Sequence, residues 1–252
     1  MRFASLGSGS RGNATLVEEG STTLLIDCGF SSRETKRRLA RLGKLPEDLT
    51  AILVTHEHAD HIGGVGAMAR RYKLPVWMSH GTRLQHSCGE LPRVECFNSH
   101  QAFAIDEISI EAFPVPHDAR EPCQFVFGNG RHRLGLLTDC GSITVHIQDK
   151  LSGCDALLLE CNHDSDMLQN GPYPFSLKQR VAGQLGHLSN AQAAGLLRDI
   201  DLSGLRHIVA MHLSEQNNSV ARVTESIGAA LGCEEQWISV AGQESGLGWR
   251  TI

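Results

Sequence analysis

Several features that define specialised classes of protein are missing from this 252-residue sequence. No apolar run approaches the roughly 18 residues that a membrane-spanning helix requires, so we expect no spanning segment. The N-terminus lacks the charged and then apolar order of a signal peptide, and none of the eight cysteines forms a C-x-x-C pair. Because disulfide frameworks belong mainly to short secreted chains, we expect reduced thiols and a cytoplasmic protein.

An excess of basic residues is missing as well. The sequence has 23 Lys and Arg against 28 Asp and Glu, which gives a formal net charge of -5. Bulk charge therefore does not attract this chain to nucleic acid or to an anionic membrane, although a local basic patch is still allowed. The sequence also lacks low-complexity linkers and internal repeats, so we predict one domain over residues 1–252.

Five short apolar runs each end on an acidic or an imidazole side chain. Those side chains are Asp27, His56, Asp139, Glu160 and His212. Continuous apolar runs of this length are typical of strands that are buried on both faces. Because the sites of layered α/β folds lie at strand ends, we predict that the five side chains meet at one rim.

Segments with helical spacing lie between these predicted strands. They cover residues 32–42, 64–71, 190–198 and 219–231. Alternating segments at 108–113 and 124–127, with a Gly-Asn-Gly turn at 128–130, predict a hairpin-like part of the sheet. The pattern as a whole predicts an α/β protein with a mixed sheet and helices outside it.

Residues 55–61 contain four potential metal ligands within six positions. His56 and His58 alternate on one side of an extended strand end, as two ligands of one metal must. Asp60 and His61 follow where a turn into a helix can direct them to a neighbouring metal. A solvated polar loop is the alternative, but such loops favour Gly, Ser, Asn and Asp over three histidines. The segment therefore predicts two adjacent metal sites.

This H-x-H-x-D-H motif resembles the metallo-β-lactamase superfamily of metallohydrolases. The other motifs of the superfamily follow in chain order, as residues 27–29, Pro116-His117-Asp118, 138–141 and 211–214. The resemblance implies an α/β (α+β) fold, a four-layer αββα sandwich with two mixed sheets and outer helices. It also implies two divalent metal ions. Zinc is the expected metal, and manganese or iron is the alternative, because His and carboxylate ligands suit all three.

Seven residues of the sequence match the metal ligands of that superfamily. They are His56, His58 and His117 for one metal, Asp60, His61 and His212 for the other, and Asp139 between them. Asp27 is expected to orient the histidine loop from behind the ligands. Taken singly, Asp139 and His117 would also suit an ordinary turn and a surface position, but their place in the ordered set of motifs favours ligation.

Three residues are our candidates for catalysis, namely Asp60, Glu160 and His187. The last two resemble ribonuclease Z-like enzymes, in which a Glu holds a His that stabilises the scissile phosphate or protonates the leaving oxygen. The implied reaction is cleavage of a phosphodiester by a bridging hydroxide. In the alternative interpretation, His187 only flanks a helix that Ser189 or Asn190 caps.

Longer stretches, at residues 8–14, 160–164, 173–180 and 212–218, resemble the YycJ/WalJ-type branch of the superfamily, which is related to ribonuclease Z. That branch is associated with nuclease activity, including exonuclease action on DNA. The resemblance therefore predicts a nuclease, and a hydrolase of small or cyclic nucleotide phosphodiesters is the alternative. A redox or non-catalytic protein is disfavoured by the full ligand set and by the lack of a flavin domain.

Five residues are candidate contacts to the substrate. Ser8 and Asn13 belong to a glycine-rich loop whose backbone N–H groups suit a phosphate, although a simple turn between strands is the slightly preferred interpretation. Lys178 and Arg180 lie near His187 in sequence and suit a basic track. His163 is a further candidate. We expect nucleic acid or another phosphodiester as partner and no membrane, whereas the oligomeric state stays open.

Overall fold

Two mixed sheets of seven strands each form the centre of the computed structural model, which describes residues 1–252. The first sheet contains β1 (Arg2–Gly7), β2 (Ala14–Glu19), β3 (Thr22–Ile26), β4 (Ala51–Leu53), β5 (Val76–Ser79), β6 (Val94–Phe97) and β14 (Leu247–Thr251). The second contains β7 (Ala102–Ile105), β8 (Ile108–Pro114), β9 (Cys123–Gly128), β10 (Arg133–Leu137), β11 (Ala156–Glu160), β12 (His207–Met211) and β13 (Ser239–Val240).

The two sheets have the same mixture of pairings. The strand order is β14-β1-β2-β3-β4-β5-β6 in the first sheet and β13-β12-β11-β10-β9-β8-β7 in the second. Strands β3 to β6 are parallel to their neighbours in this series, and so are β10 to β13. The remaining pairs are antiparallel. Each sheet therefore has a parallel half whose carboxyl ends lie at one edge.

Nine α-helices accompany the sheets. They are α1 (Ser32–Arg41), α2 (Ala59–Ile62), α3 (Val65–Tyr72), α4 (His80–Gln85), α5 (Val145–Leu151), α6 (Ser165–Asn170), α7 (Phe175–Val181), α8 (Asn190–Asp199) and α9 (Val220–Leu231). Short 3₁₀ turns occur at Pro46–Asp48 and Glu235–Trp237. None of the helices has the length and apolar character that a membrane crossing would need.

Three apolar clusters define the layers. The largest, of 23 buried residues, lies between the sheets and contains side chains of β2 and β3 together with those of β9 and β10. A second cluster packs α5, α8 and α9 on the outer face of the second sheet. A third packs α1 and α3 on the first sheet. The order of layers is helices, sheet, sheet and helices, which confirms the expected αββα sandwich.

The predicted elements agree with the structure in most places. The five apolar runs lie in or beside β3, β4, β10, β11 and β12, and the four helical segments correspond to α1, α3, α8 and α9. Segments 108–113 and 124–127 pair antiparallel as β8 and β9. The turn at 128–130 joins β9 to β10, which also pair antiparallel. The β8–β9 connection is longer because residues 115–122 carry His117 to the rim of the sheets.

Candidate metal centre

Three residues at the ends of parallel strands have a left-handed backbone. The φ angle is 58° at Asp27 after β3, 50° at Asp139 after β10 and 55° at His212 after β12. This region is uncommon for residues other than glycine, although Asp, Asn and His are enriched in it. Such conformations cost on the order of 1–3 kcal/mol each and cluster at functional sites. The turns that direct these side chains away from their strands are therefore imposed by the surrounding fold.

Asp27 holds the histidine loop that follows β4. Its Oδ1 accepts the N–H of Thr55 at 2.8 Å, and its Oδ2 accepts the Thr55 hydroxyl at 2.8 Å. Nδ1–H of His61 donates to the same Oδ2 at 2.7 Å. With Nδ1 bound to the carboxylate, Nε2 of His61 faces Asp139 Oδ2 at 2.8 Å. Asp27 therefore sets the tautomer and the direction of a neighbouring imidazole, as second-layer carboxylates commonly do.

A first cluster contains His56, His58 and His117, whose donor atoms lie within 4.8 Å of one another. Backbone carbonyls fix two of the rings. Nδ1 of His117 donates to Gly186 O at 3.1 Å, and Nε2 of His58 donates to Asp118 O at 3.2 Å. The opposite nitrogens, His117 Nε2 and His58 Nδ1, then face each other at 3.2 Å. Both rings thus present a lone pair to the same point.

A second cluster contains Asp60, His61 and His212, with donor atoms again within 4.8 Å of one another. Nε2 of His212 lies 3.6 Å from Asp60 Oδ2. Asp139 forms a group of its own with His56 and His61, which belong to the first and the second cluster respectively. The structure therefore brings together all seven residues that the sequence suggests as ligands, with Asp139 between the two sets.

These residues fit divalent metal ions. Nε2 of His56 and Nε2 of His212 are buried and have no hydrogen-bond partner in the protein, whereas buried polar atoms nearly always have one. Both atoms belong to the clusters described above. The donor set consists of imidazole nitrogens and carboxylate oxygens, which zinc, manganese and iron all accept. A cation at each cluster would satisfy the two unpartnered nitrogens.

Burial and neighbouring charges favour the protonation states of ligands at Asp60, His56 and His117, whereas the surrounding carboxylates raise the pKa of His61 and His212 while no cation is bound. Burial alone would raise the pKa of Asp60, but the neighbouring His61 and His212 lower it below its usual range. Burial lowers the pKa of His56 well below its usual value, and it lowers that of His117 in the same direction. The carboxylate is therefore ionised and these two imidazoles are neutral at pH 7, as metal binding requires.

Glu160 and His187 form a hydrogen-bonded pair beside the clusters. Glu160 Oε1 accepts Nδ1–H of His187 at 2.7 Å, while Oε2 accepts the N–H of Cys140 at 2.7 Å. Burial alone would lower the pKa of His187, but Glu160 and then Asp139 raise it. The cap of α8 is supplied by Ser189, whose hydroxyl accepts a backbone N–H of the first turn at 3.2 Å. The helix cap and the Glu–His pair are thus separate features.

The described geometry agrees with the comparison to known families. The model of the beta-lactamase superfamily domain matches residues 22–213, a range that includes Asp27 and all seven candidate ligands. The chain belongs to the beta-lactamase superfamily. This membership confirms the resemblance inferred from the motifs, and it implies divalent metal ions, which the two clusters fit.

Individual relatives place the chain more closely within the superfamily. It is 36% identical over 243 residues to exodeoxyribonuclease YycJ of Bacillus anthracis, covering 92% of each chain. It is 36% identical over 224 residues to exodeoxyribonuclease WalJ of Streptococcus pneumoniae, covering 86% of this chain and 83% of the relative. The metallo-beta-lactamase fold protein YhfI from Bacillus subtilis aligns over 99% of both chains with a TM-score of 0.76 and 16% identity, which shows a shared fold. The predicted YycJ/WalJ branch is confirmed.

A cavity of about 370 Å³ opens over the two clusters of this superfamily member. Its lining includes four polar residues to which the sequence gave no role, namely Ser10, Asn162, Tyr173 and Ser214. Asn162 follows β11 by two positions and donates from Nδ2 to the carbonyl of His212 at 3.0 Å. Its position after a parallel strand is the signal that would have identified it.

Ser8 and Asn13 lie behind the metal clusters and not at the rim of the cavity. Ser8 Oγ accepts the N–H of His212 at 2.8 Å. Asn13 Nδ2 donates to Asp60 Oδ2 at 3.2 Å, and the side chains of Ser8 and Asn13 are both buried. The loop folds these two side chains inward, where they bind ligand residues. Ser10 of the same loop lines the cavity, so a substrate contact through the loop and its backbone N–H groups stays a prediction.

Lys178 and Arg180 lie on different sides of α7. Arg180 lines the cavity over the metal clusters and forms an ion pair with Asp118 at 2.8 Å. Lys178 lines a second cavity together with His163, and its Nζ donates to the carbonyl of Gln169 at 2.7 Å. The two basic side chains therefore do not form one continuous track, because the helix separates them.

Proposed function

We propose that this protein is a metal-dependent phosphodiesterase that acts on nucleic acid, with exonuclease action on DNA. The observation that carries the proposal is the Glu160–His187 pair, held at 2.7 Å beside a cluster of seven candidate ligands in an open cavity. A site of this kind combines metal binding with a proton donor, as phosphodiester cleavage requires. The names of the YycJ and WalJ relatives support DNA as the substrate.

We assign two divalent metal ions, with zinc as the first choice, to the candidate ligands. His56, His58 and His117 would hold one ion, Asp60, His61 and His212 would hold the other, and Asp139 would contribute to both. When bound, such ions polarise a phosphate oxygen and lower the pKa of water at the site. Behind the ligands, Asp27, Ser8 and Asn13 keep the donor atoms in place through the hydrogen bonds described above.

His187 supplies the positive charge and the proton at the reacting phosphate. Glu160 and then Asp139 raise its pKa, which favours the protonated imidazole, and Nδ1–H is engaged by Glu160. Nε2–H is then the group available to a phosphate oxygen or to the leaving oxygen. Glu160 cannot turn away without losing its second bond to the N–H of Cys140, so the imidazole keeps one orientation.

A small or cyclic nucleotide phosphodiester is the second candidate substrate. Arg180, which lines the cavity, and Arg11, which follows the lining residue Ser10, already pair with carboxylates. Arg180 pairs with Asp118 at 2.8 Å, and Arg11 pairs with Glu215 at 2.6 Å and Glu244 at 3.0 Å. With a net charge of -5, the protein as a whole repels a long polyanion. This pairing favours a substrate that touches the cavity alone.

The experiment compares end-labelled DNA, end-labelled RNA and bis(p-nitrophenyl) phosphate as substrates of the metal-replete protein. The nuclease proposal expects stepwise release of nucleotides from DNA. Hydrolysis of bis(p-nitrophenyl) phosphate alone would favour the small-phosphodiester alternative, and the absence of any hydrolysis would contradict both.

The His187→Ala variant tests the assigned role of the imidazole. We expect it to retain its metal and its fold but to lose about 10²- to 10⁴-fold in kcat, the usual contribution of a general acid. An exposed histidine, His100, provides the control, because it lies in a surface turn and does not line the cavity over the metal clusters. Unchanged kcat in metal-replete His187→Ala protein would remove this residue from the mechanism.

A further inference from the structure

A second cavity lies beside the metal centre, on the other side of helix α7. Its volume is about 410 Å³, within the range of about 300–1,000 Å³ that small-molecule sites occupy. Leu177 and Arg180 of α7 line the cavity over the metal clusters, whereas Phe175 and Gln179 line the second cavity. The helix therefore forms the wall between them, and a ligand that reaches both must pass over it.

His163 is the buried polar residue of this second cavity. Its side chain is 3% exposed, and its Nδ1 is buried without a hydrogen-bond partner in the protein. The backbone is held firmly, because the N–H of Asn190 donates to the His163 carbonyl at 2.8 Å. Burial lowers the pKa of His163 to about 4, so the imidazole is neutral at pH 7 and offers one donor and one acceptor. A fixed imidazole with an unused nitrogen indicates a ligand that has hydrogen-bonding groups of its own.

The rest of the lining indicates which kind of ligand this is. Phe175 is 74% exposed at the edge of the cavity, so one aromatic face is available for stacking. Lys178 is the charged residue of the lining, which contains no carboxylate, although the chain as a whole is acidic. The amides of Gln169 and Gln179 add donors and acceptors. An aromatic face, a neutral imidazole, amides and one cation together complement a heteroaromatic base attached to a phosphate backbone.

We propose that the second cavity is a nucleobase subsite, in which Phe175 stacks on an unpaired base and His163 forms a hydrogen bond with its edge. This inference rests on the proposed action on nucleic acid. A helix with its side chains is about 10 Å thick, so the base belongs to a nucleotide further along the strand than the one at the metal centre. The subsite requires the base to leave its stack, and it therefore selects single-stranded or frayed ends.

The Phe175→Ala variant tests the subsite with two substrates, a single-stranded DNA oligonucleotide and bis(p-nitrophenyl) phosphate. Stacking of one base on an aromatic side chain corresponds to about a 5- to 150-fold rise in KM for the oligonucleotide when the ring is removed. The kcat/KM for bis(p-nitrophenyl) phosphate stays unchanged, because that substrate does not reach beyond α7. Phe175→Trp keeps an aromatic face and retains a KM close to that of the unaltered protein.

Two controls identify the base as the ligand. Val145 in α5 is 71% exposed and lines neither cavity, so Val145→Ala leaves both substrates unaffected. Oligonucleotides with one abasic residue at successive positions raise KM at one position for the unaltered protein. For Phe175→Ala the rise at that position is smaller, because only the hydrogen bond to His163 is left to lose. His163→Phe keeps an aromatic ring and removes both nitrogens, and it reduces discrimination among the four bases at that same position.

The subsite would be overturned if Phe175→Ala and the unaltered protein had the same KM for the oligonucleotide and if no abasic position changed that KM. The nuclease function would still stand. Hydrolysis of bis(p-nitrophenyl) phosphate without cleavage of any oligonucleotide would overturn the nuclease function and the subsite together.

Discussion

Asp27 illustrates how a single carboxylate organises this site. It accepts two hydrogen bonds from Thr55 and one from His61, and it does so from a left-handed backbone with φ of 58°. The motif in the sequence predicts that Asp27 supports the histidine loop. The sequence could not predict the part of Thr55, because a threonine at a strand end is common and its partner depends on the three-dimensional turn.

The Asp27→Asn variant tests this support. An amide cannot accept from both Thr55 and His61 in the same way, so the imidazole loses its fixed tautomer. We expect the metal affinity to fall by about 10- to 100-fold, the usual cost of losing a partner behind a metal ligand. Asp106→Asn is a matched control, because Asp106 also has a positive φ, of 46°, but lies in the turn between β7 and β8. Equal affinity of the two variants in a metal titration would contradict this role.

His163 predicts a measurable dependence of stability on pH. Burial lowers its pKa from 6.5 to about 4, so between these values the unfolded chain binds a proton that the folded chain does not. Acidification through this window therefore favours unfolding. Relative to His163→Phe, the unaltered protein should lose roughly 2 kcal/mol of unfolding free energy between pH 7.5 and 5. Urea unfolding at both pH values measures this difference, with His100→Phe as the exposed control.

If the gap between unaltered and His163→Phe protein stays constant with pH, the imidazole is not kept neutral by burial. His163 would then contact a ligand of the second cavity as a protonated imidazole and not as a neutral one.

The secondary-structure elements that the sequence predicts share one property, an apolar pattern that is long enough to identify them. The strands β3, β10, β11 and β12 are buried along almost their whole length, and each contains a continuous apolar run. Strands β1 and β2 bury polar side chains such as Ser5, Thr15 and Glu18, so neither sequence shows the apolar run that is typical of a buried strand. Helix α7 has seven residues and buries none of them, so it leaves no apolar stripe. The apolar pattern therefore does not predict α7 as a helix, although Lys178 and Arg180 of this segment are among the candidate substrate contacts.

The connection between α7 and α8 must approach the turn after β10 closely. A Cβ at Gly141 would overlap the carbonyl of Gln184, and it would lie 2.5 Å from the backbone nitrogen of Gly186. Gly141→Ala therefore displaces the segment that leads to His187. We expect a loss of about 1–3 kcal/mol in unfolding free energy and up to about 10²-fold in kcat.

Gly195, inside α8, is the matched control for this prediction because nothing lies within 4 Å of its Cβ position. Gly195→Ala should be neutral or stabilising by about 0.5–1 kcal/mol, since alanine is the better helix former. Thermal unfolding and kcat of the two variants give the comparison. Normal turnover in Gly141→Ala would mean that the segment can move without displacing His187.

At the scale of the whole molecule, two sheets contribute to one metal centre. The loops after β3 and β4 of the first sheet supply Asp27 and His56, and those after β10 and β12 of the second supply Asp139 and His212. Hydrophobic patterns alone predict a mixed sheet with outer helices. The second sheet, and thus the meeting of two rims, followed only from the resemblance to a known superfamily, because pairing between distant strands leaves no local signal.

The central claim is that seven side chains from both sheets hold two divalent ions. The most direct test removes the metal with a chelator and adds it back stepwise. The metal content per chain, from elemental analysis, is then compared with kcat at each step. We predict two ions per chain at full activity. His61→Ala and His212→Ala should each lose mainly the ion of the cluster that contains Asp60. His117→Ala should weaken mainly the binding of the ion held by the cluster that contains His56. Full activity with one ion or none per chain would contradict the account.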